Sequence, residues 1–492
     1  MKKSVKNLLI LVLVLAVLGG VTAALLLWPQ PEEPKDPASQ AATPSGAPLA
    51  SIFPRLVSEV ESITVENSAG GYRMYPMEDT GGALFNLEGY ENYGLLSSAL
   101  ANTAQCLFYS TTARELGPQG KLEDFGLAGE AAAEITIDYN DGTSEEVVLG
   151  NNAGETAGRY VLKDGEVYII SGVSDYFFSA PEAFVNTYLY EIADRVADED
   201  ETVYENVGVT DILYSMTLSG THFPNTIEMK SDPSVLSSYK ITAPVTADAG
   251  NEYLETVIAD LKALNADSVA AVGLTEETLE KYGLAEPFAK IEFDLNREKH
   301  TLAVSAASGG NRYLLFDDRD VVYQIAQSSV ASWAESDLLK LRLTYVIVPR
   351  INDIQRLEYI VEDDMVYAFD VTREVNPDTS TEARVNYDLT VTRPDGETLD
   401  TENYRHLFTR MMGTAMLTSD PTEYDKRTRI LTIKFTYFEG GTDTVEYYAA
   451  GSDRYAAVLN GEFNGICRAS ELDSAIAYLP VLNDGGEVPS VF

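Results

Sequence analysis

Apolar and polar residues alternate along most of this chain in short bursts closed by glycine turns. Glu134-Ile135-Thr136-Ile137-Asp138-Tyr139 alternates, turns at Asn140-Asp141-Gly142 and returns through Val147-Val148-Leu149-Gly150. Arg159-Tyr160-Val161-Leu162, the turn Lys163-Asp164-Gly165 and Val167-Tyr168-Ile169-Ile170 make a second pair. A period of two marks a half-buried strand, and Asp-Gly or Asn-Gly accepts the positive φ of a tight hairpin. The pattern returns as Lys290–Asp294, Arg312–Phe316 and Val321–Ile325, and again as Thr432–Tyr437, Val445–Tyr448 and Arg454–Leu459 before Asn460-Gly461. Ahead of each set stand two further strands and a segment with helical spacing. The helices are expected at about Tyr93–Tyr109, Tyr253–Leu264 and Glu402–Met412, with Leu100 and Leu107, Leu254 and Val257, and Leu407 and Met411 on the buried faces. Shorter helical stretches, Ser174–Phe184, Ser328–Lys340 and Leu472–Leu479, close the three sets.

Two landmarks fix the repeat. Leu279-Glu280-Lys281-Tyr282-Gly283-Leu284 echoes Leu122-Glu123-Asp124-Phe125-Gly126-Leu127, 157 positions earlier. The pairs Arg159-Tyr160, Arg312-Tyr313 and Arg454-Tyr455 recur at intervals of 153 and 142, a period near 150. The expected fold class is therefore α+β: three tandem repeats, each an antiparallel β-sheet with helices packed on one face, behind an N-terminal transmembrane helix. The divisions are an anchor over 1–28, a linker over 29–50, repeats over 51–197, 202–345 and 348–481, and a tail over 482–492.

The anchor rests on Leu8–Trp28, 21 residues without a charge. That length spans a bilayer core as a helix. Lys2, Lys3 and Lys6 precede it and acidic residues follow it, which places the N-terminus in the cytoplasm and the body outside. Pro29, Pro31, Pro34, Pro37, Pro44 and Pro48 make a semi-extended spacer.

Charge narrows the set of partners. The net charge is −42 and the first 28 residues contribute +3, so the remainder carries −45. Such a surface repels nucleic acid and favours cations or basic protein faces. Catalytic chemistry is harder to find. His222, His300 and His406 stand apart with no zinc-ligand spacing, and there is no nucleophile elbow, phosphate loop or dinucleotide fingerprint. Acidic runs Asp198–Glu201, Asp317–Asp320 and Glu362–Asp364 lack the alternating ligands of a calcium loop and read as solvated loops, the first joining two repeats and the others at hairpin tips. Cys106 and Cys467 read as small buried hydrophobes. No catalytic, cofactor-binding or metal residue is assigned. The signature residues Gly126, Leu127, Arg159, Tyr160, Gly283, Leu284, Arg312, Tyr313, Arg454 and Tyr455 read as structural: glycine for the turn, leucine and tyrosine for the core, and arginine on the surface.

In Leu-x-x-Tyr-Gly-Leu-x-x-Pro (Leu279–Pro287), the following hairpin, Arg312-Tyr313 and Val322-Tyr323-Gln324-Ile325, the chain resembles the bacterial family called domain of unknown function 4340. The likeness extends to Leu122–Ile170 and weakens in the third repeat, where Asp420-Pro421 replaces the Tyr-Gly-Leu turn. Members of that family are often encoded beside ABC-type transport systems linked to gliding machinery. The resemblance thus implies a membrane-anchored, extracytoplasmic accessory protein that docks on a transport component, with no catalytic residues to carry over. The second expectation is a surface module that binds wall glycan or cations.

Overall fold

The computed structural model describes residues 51–154, 158–195, 211–233, 236–380, 385–419 and 422–490. They form three large antiparallel sheets and a two-stranded one. The chain divides into two compact units, the first ending at Val185 and the second beginning at Asn186.

One strand order recurs in all three large sheets. In the first it runs Phe85–Leu87, Tyr72–Pro76, Val60–Glu66, Ala133–Tyr139, Ser144–Asn152, Arg159–Lys163, Glu166–Ser171 and Thr111–Gly117. The second sheet repeats it from Tyr239–Ala243 through Leu213–Ser219, Ala289–Leu295 and Asn311–Phe316 to Ser268–Val272. The third repeats it from Tyr387–Thr392 through Ile354–Val361, Arg429–Tyr437 and Arg454–Leu459 to Met416–Thr418. These last two sheets each gain a short edge strand, Ala247–Asp248 and Thr398–Leu399. Every ladder is antiparallel, and the first strand of each sheet carries a β-bulge at the same place, at Val60/Ser62, Leu213/Ser215 and Ile354/Arg356. A bulge kept in three copies is a designed kink, since it re-aims the residue that follows it.

One helix per sheet fills the main core. Ser97–Tyr109 buries Leu100, Ala104 and Leu107; Asn251–Leu261 buries Leu254, Val257, Ile258 and Leu261; Thr401–Met412 buries Tyr404, Leu407, Phe408 and Met411. Fully burying each large apolar side chain contributes about 1.5–3 kcal/mol. The Asp400 carboxylate accepts from the Asn403 amide and caps the last of these helices.

The expected fold class needs correction. Strand makes up 41 % and helix 21 % of the described residues, so the structure is mostly antiparallel β. Helices do not sheath a single face, because the first sheet has a second core on its other side, built from Phe125, Leu127, Tyr160, Val167 and Ile169. The first two closing stretches shrink to short turns: Asp175–Phe178 and Pro181–Phe184 are 3₁₀, and Ala331–Ala334 and Leu338–Leu341 are single helical turns, while the third stays helical as Ala469–Ile476 and Leu479–Asn483. No helix among the described residues is long and apolar enough to cross a membrane. The expected Leu8–Trp28 anchor and the linker at 29–50 lie outside the described residues, as does the acidic run at 198–201. Cys106 and Cys467 are free thiols, Cys467 fully buried.

Candidate functional site

Gly126 and Gly283 hold the same turn, each at φ 68°. The Gly126 amide donates to the Glu123 carbonyl and the Leu127 amide to that of Leu122; Gly283 and Leu284 do the same to Glu280 and Leu279. This bond pair closes a helix on a left-handed glycine, and the next residue, Leu127 or Leu284, enters the core. The preceding aromatic packs edge-on against the tyrosine of the Arg-Tyr pair. Phe125 meets Tyr160 at 4.9 Å and Tyr282 meets Tyr313 at 4.6 Å between ring centres. The two signature motifs are therefore halves of one packing unit in the first and second sheets.

Arginine departs from expectation. Arg159 and Arg312 are 8 % and 3 % exposed rather than on the surface. Neighbouring strand residues do face opposite ways, so Tyr160 takes the smaller core and Tyr313 packs on Tyr282, while each arginine takes the space beneath the closing turn. Arg312 donates Nη1–H to the Ser305 carbonyl at 2.7 Å and Nη2–H to Glu335 Oε1 at 2.7 Å, and its guanidinium lies 4.4 Å from the Phe288 ring centre. Arg159 repeats this with the Gly150 carbonyl (2.7 Å), Asp175 and the Phe178 ring. The Glu335 carboxyl is held below its usual range, first by the Arg312 hydrogen bond and next by Gln327.

In the third sheet the pair is displaced by one position. Tyr455 lies opposite Cys467 as Arg159 lies opposite Ile170, and it packs on the main core while Arg454 is exposed. The Tyr455 hydroxyl donates to Asp473 Oδ1 at 2.8 Å. Arg159, Arg312 and Tyr455 are thus the equivalents, each a donor to an acid of the closing segment.

The second unit holds a cleft of about 480 Å³. Its walls are the edge strand Ala247–Asp248 with Lys240, the extended Val346-Ile347-Val348-Pro349-Arg350, and the third sheet's turns at Tyr437–Asp443 and Asn460. Asp443 accepts from the Tyr437 hydroxyl (2.7 Å) and Asn460 Nδ2 (2.8 Å), and Asp353 pairs with Arg373 at 3.2 Å. Lys240, Arg350 and Glu439 reach the cleft without an ion pair among the described residues. Arg342 fixes the two sheets that form it. It is 2 % exposed and has no carboxylate partner among the described residues. Its Nε–H donates to the Leu343 carbonyl, Nη1–H groups to Ser419 Oγ and the Asn464 carbonyl, and Nη2–H groups to the Tyr345 carbonyl and Asn464 Oδ1. All five donors of the guanidinium are used. Burial pulls its pKa down to about 10. From Asn464, Nδ2 donates on to the Thr246 carbonyl at 2.9 Å, at the cleft wall.

None of these cleft residues, nor Arg342, is singled out by repetition. The available signal is a charge inside an apolar run, Leu341-Arg342-Leu343, and an acid recurring in each closing segment after Arg159 and Arg312. Among the described residues no group of three His, Cys, Asp or Glu side chains is placed to hold one metal ion. His222, His300 and His406 remain apart, bonded to the Ser336 carbonyl, Asp317 and the Val488 carbonyl.

Comparison with known proteins gives one match. No curated protein and no solved structure matches the chain. A family model described as "Domain of unknown function (DUF4340)" matches residues 240–426, which run from the second sheet's outer strand through its Tyr-Gly-Leu turn and Arg312-Tyr313 into the third sheet. Through that span, this chain resembles the DUF4340 family.

Proposed function

We propose that this is a non-catalytic accessory protein of the cell envelope that docks on an ABC-type transport component or another envelope complex, outside the cytoplasm, through the cleft of its second unit. The lining of that cleft carries the reading. It offers the apolar run Val346–Pro349 and only one tyrosine, Tyr437, whose hydroxyl is taken by Asp443. A polypeptide segment suits apolar walls flanked by unpaired charges. A sugar ring would call for open aromatic faces, which is why wall-glycan binding is the second reading. Arg159, Arg312 and the repeated tyrosines are absorbed in packing and internal polar bonds, whereas a reacting centre needs a nucleophile or acid with its base and orienter.

The test places a photo-crosslinking amino acid at Val348 in cells and identifies the adducts by mass spectrometry. One envelope protein, lost when Ile347→Asp is introduced, is the expected result. Adducts of wall glycan alone would favour the second reading, and reproducible turnover of any substrate would sink both.

A further inference from the structure

The second sheet carries a polar recess of about 290 Å³ with a buried carboxylate oxygen that no described residue satisfies. Asp294 is 7 % exposed, and its Oδ1 is out of contact with solvent and accepts no hydrogen bond among the described residues. Its Oδ2 faces Lys299 Nζ at 3.9 Å, on a side chain that is 78 % exposed. A buried acceptor left unmet costs about 1–3 kcal/mol. The other acids of the recess are engaged: Glu292 with Lys290 at 2.6 Å, and Asp317 with His300 Nδ1 at 2.9 Å and the Thr301 amide at 2.7 Å. Asp294 is the acceptor left over.

The same place in the other two sheets shows what is missing. One residue past each bulge, Ser62 lies opposite Asp138, Ser215 opposite Asp294, and Arg356 opposite Thr436. In the first sheet Asp138 is satisfied by the Ser62 and Ser144 hydroxyls, at 3.0 and 2.7 Å. In the third the chain supplies its own cation: Arg356 occupies the position and bonds Asp370 at 2.6 Å and Glu358 at 3.1 Å. The second sheet has a small residue, Ser215, where Arg356 would stand, and a buried acid across from it. The first sheet has the same serine and acid, but there the acid is met by hydroxyls; among the described residues Asp294 is the one of the two left with an unmet oxygen.

We propose that this recess binds the guanidinium head of an external ligand, with Asp294 as its ion-pair partner and the hydroxyls of Ser215 and Thr217 beside it. A planar guanidinium carries several donors, so it can meet the Asp294 carboxylate and the neighbouring hydroxyls together, which a spherical ion does not. The head comes either from an arginine side chain of another protein or from a free guanidino compound.

Calorimetric titration of the full chain tests this with N-acetyl-arginine amide, agmatine and the neutral isostere N-acetyl-citrulline amide. Saturable 1:1 binding is expected for a guanidinium probe and none for the citrulline one. Tighter binding of the amide points to a protein side chain, and of agmatine to a free compound. Asp294→Asn should weaken binding at least tenfold. Ser215→Arg, which sets a guanidinium of the chain's own beside Asp294, should abolish binding. Failure of both guanidinium probes to bind, equal binding of the citrulline probe, or an affinity unchanged by Asp294→Asn would overturn the proposal; because Asn is isosteric, its Tm separates lost binding from lost folding.

Discussion

A single donor position explains why the Arg-Tyr pair is repeated and why its third copy slips. Arg159 and Arg312 each tie a closing turn to the sheet, and Tyr455 does so with a hydroxyl. The dipeptide is visible in the sequence, but its phase is not, since phase depends on which face of the sheet the closing segment covers. Arg312→Met should cost about 2–3 kcal/mol, because it removes charge-assisted bonds to Glu335 and leaves the Ser305 carbonyl unmet. Tyr455→Phe should cost about 1 kcal/mol. Arg454→Ala, at an exposed site, should stay within about 0.5 kcal/mol. Urea unfolding of the three variants reads all of these, and equal losses for Arg312→Met and Arg454→Ala would refute the displaced equivalence.

Among elements, the tight turns are the most legible and the most exacting. Alternation and Asp-Gly or Asn-Gly turns locate the central hairpins directly, and Asp164, Gly165, Asn460 and Gly461 all take the positive φ those turns need. The outer strands Thr111–Gly117, Ser268–Val272 and Met416–Thr418 escape pattern reading, being short or lacking clean alternation and paired with strands far along the chain. The pair Tyr188–Glu191 with Ala263–Asn265 is likewise made by distant pairing, the second of these strands overlapping the end of an expected helix. The glycines differ in what surrounds them. A Cβ on Gly150 would stand 2.4 Å from the Phe125 carbonyl oxygen, a backbone atom of the signature turn, whereas on Gly283 it would meet Ser305 Cβ at 3.6 Å. Gly150→Ala should therefore cost about 3 kcal/mol through overpacking. Gly283→Ala should cost about 1 kcal/mol, for the left-handed φ alone. Thermal unfolding of both variants would show whether the order holds.

At the scale of the molecule, the second unit is held by polar bonds that no repeat announces. The cleft and the Arg342 staple join segments more than a hundred residues apart, such as Arg342 to Asn464 and Asn464 to Thr246. Local patterning carries no trace of such contacts, so the hairpins were readable and the candidate site was not. Arg342→Met leaves three carbonyls, a hydroxyl and an amide oxygen without their donor, and should cost about 3 kcal/mol or more. Calorimetry of that variant should show the unit's melting broaden or split. A sharp, unshifted transition would mean that the staple holds nothing. The chemistry of these acceptors also sets an order of events in acid. Glu335 has a lowered pKa when folded, so its contribution is complete above the ordinary carboxylate value near 4.5 and fades as the pH falls below it. None of the five Arg342 acceptors titrates in that range, and the arginine stays charged throughout. Acidification should thus loosen the closing helix around Trp333 while Arg342 still clamps the two sheets. In a Trp28→Phe protein, Trp333 emission should shift at a higher pH than the loss of amide-exchange protection around Asn464.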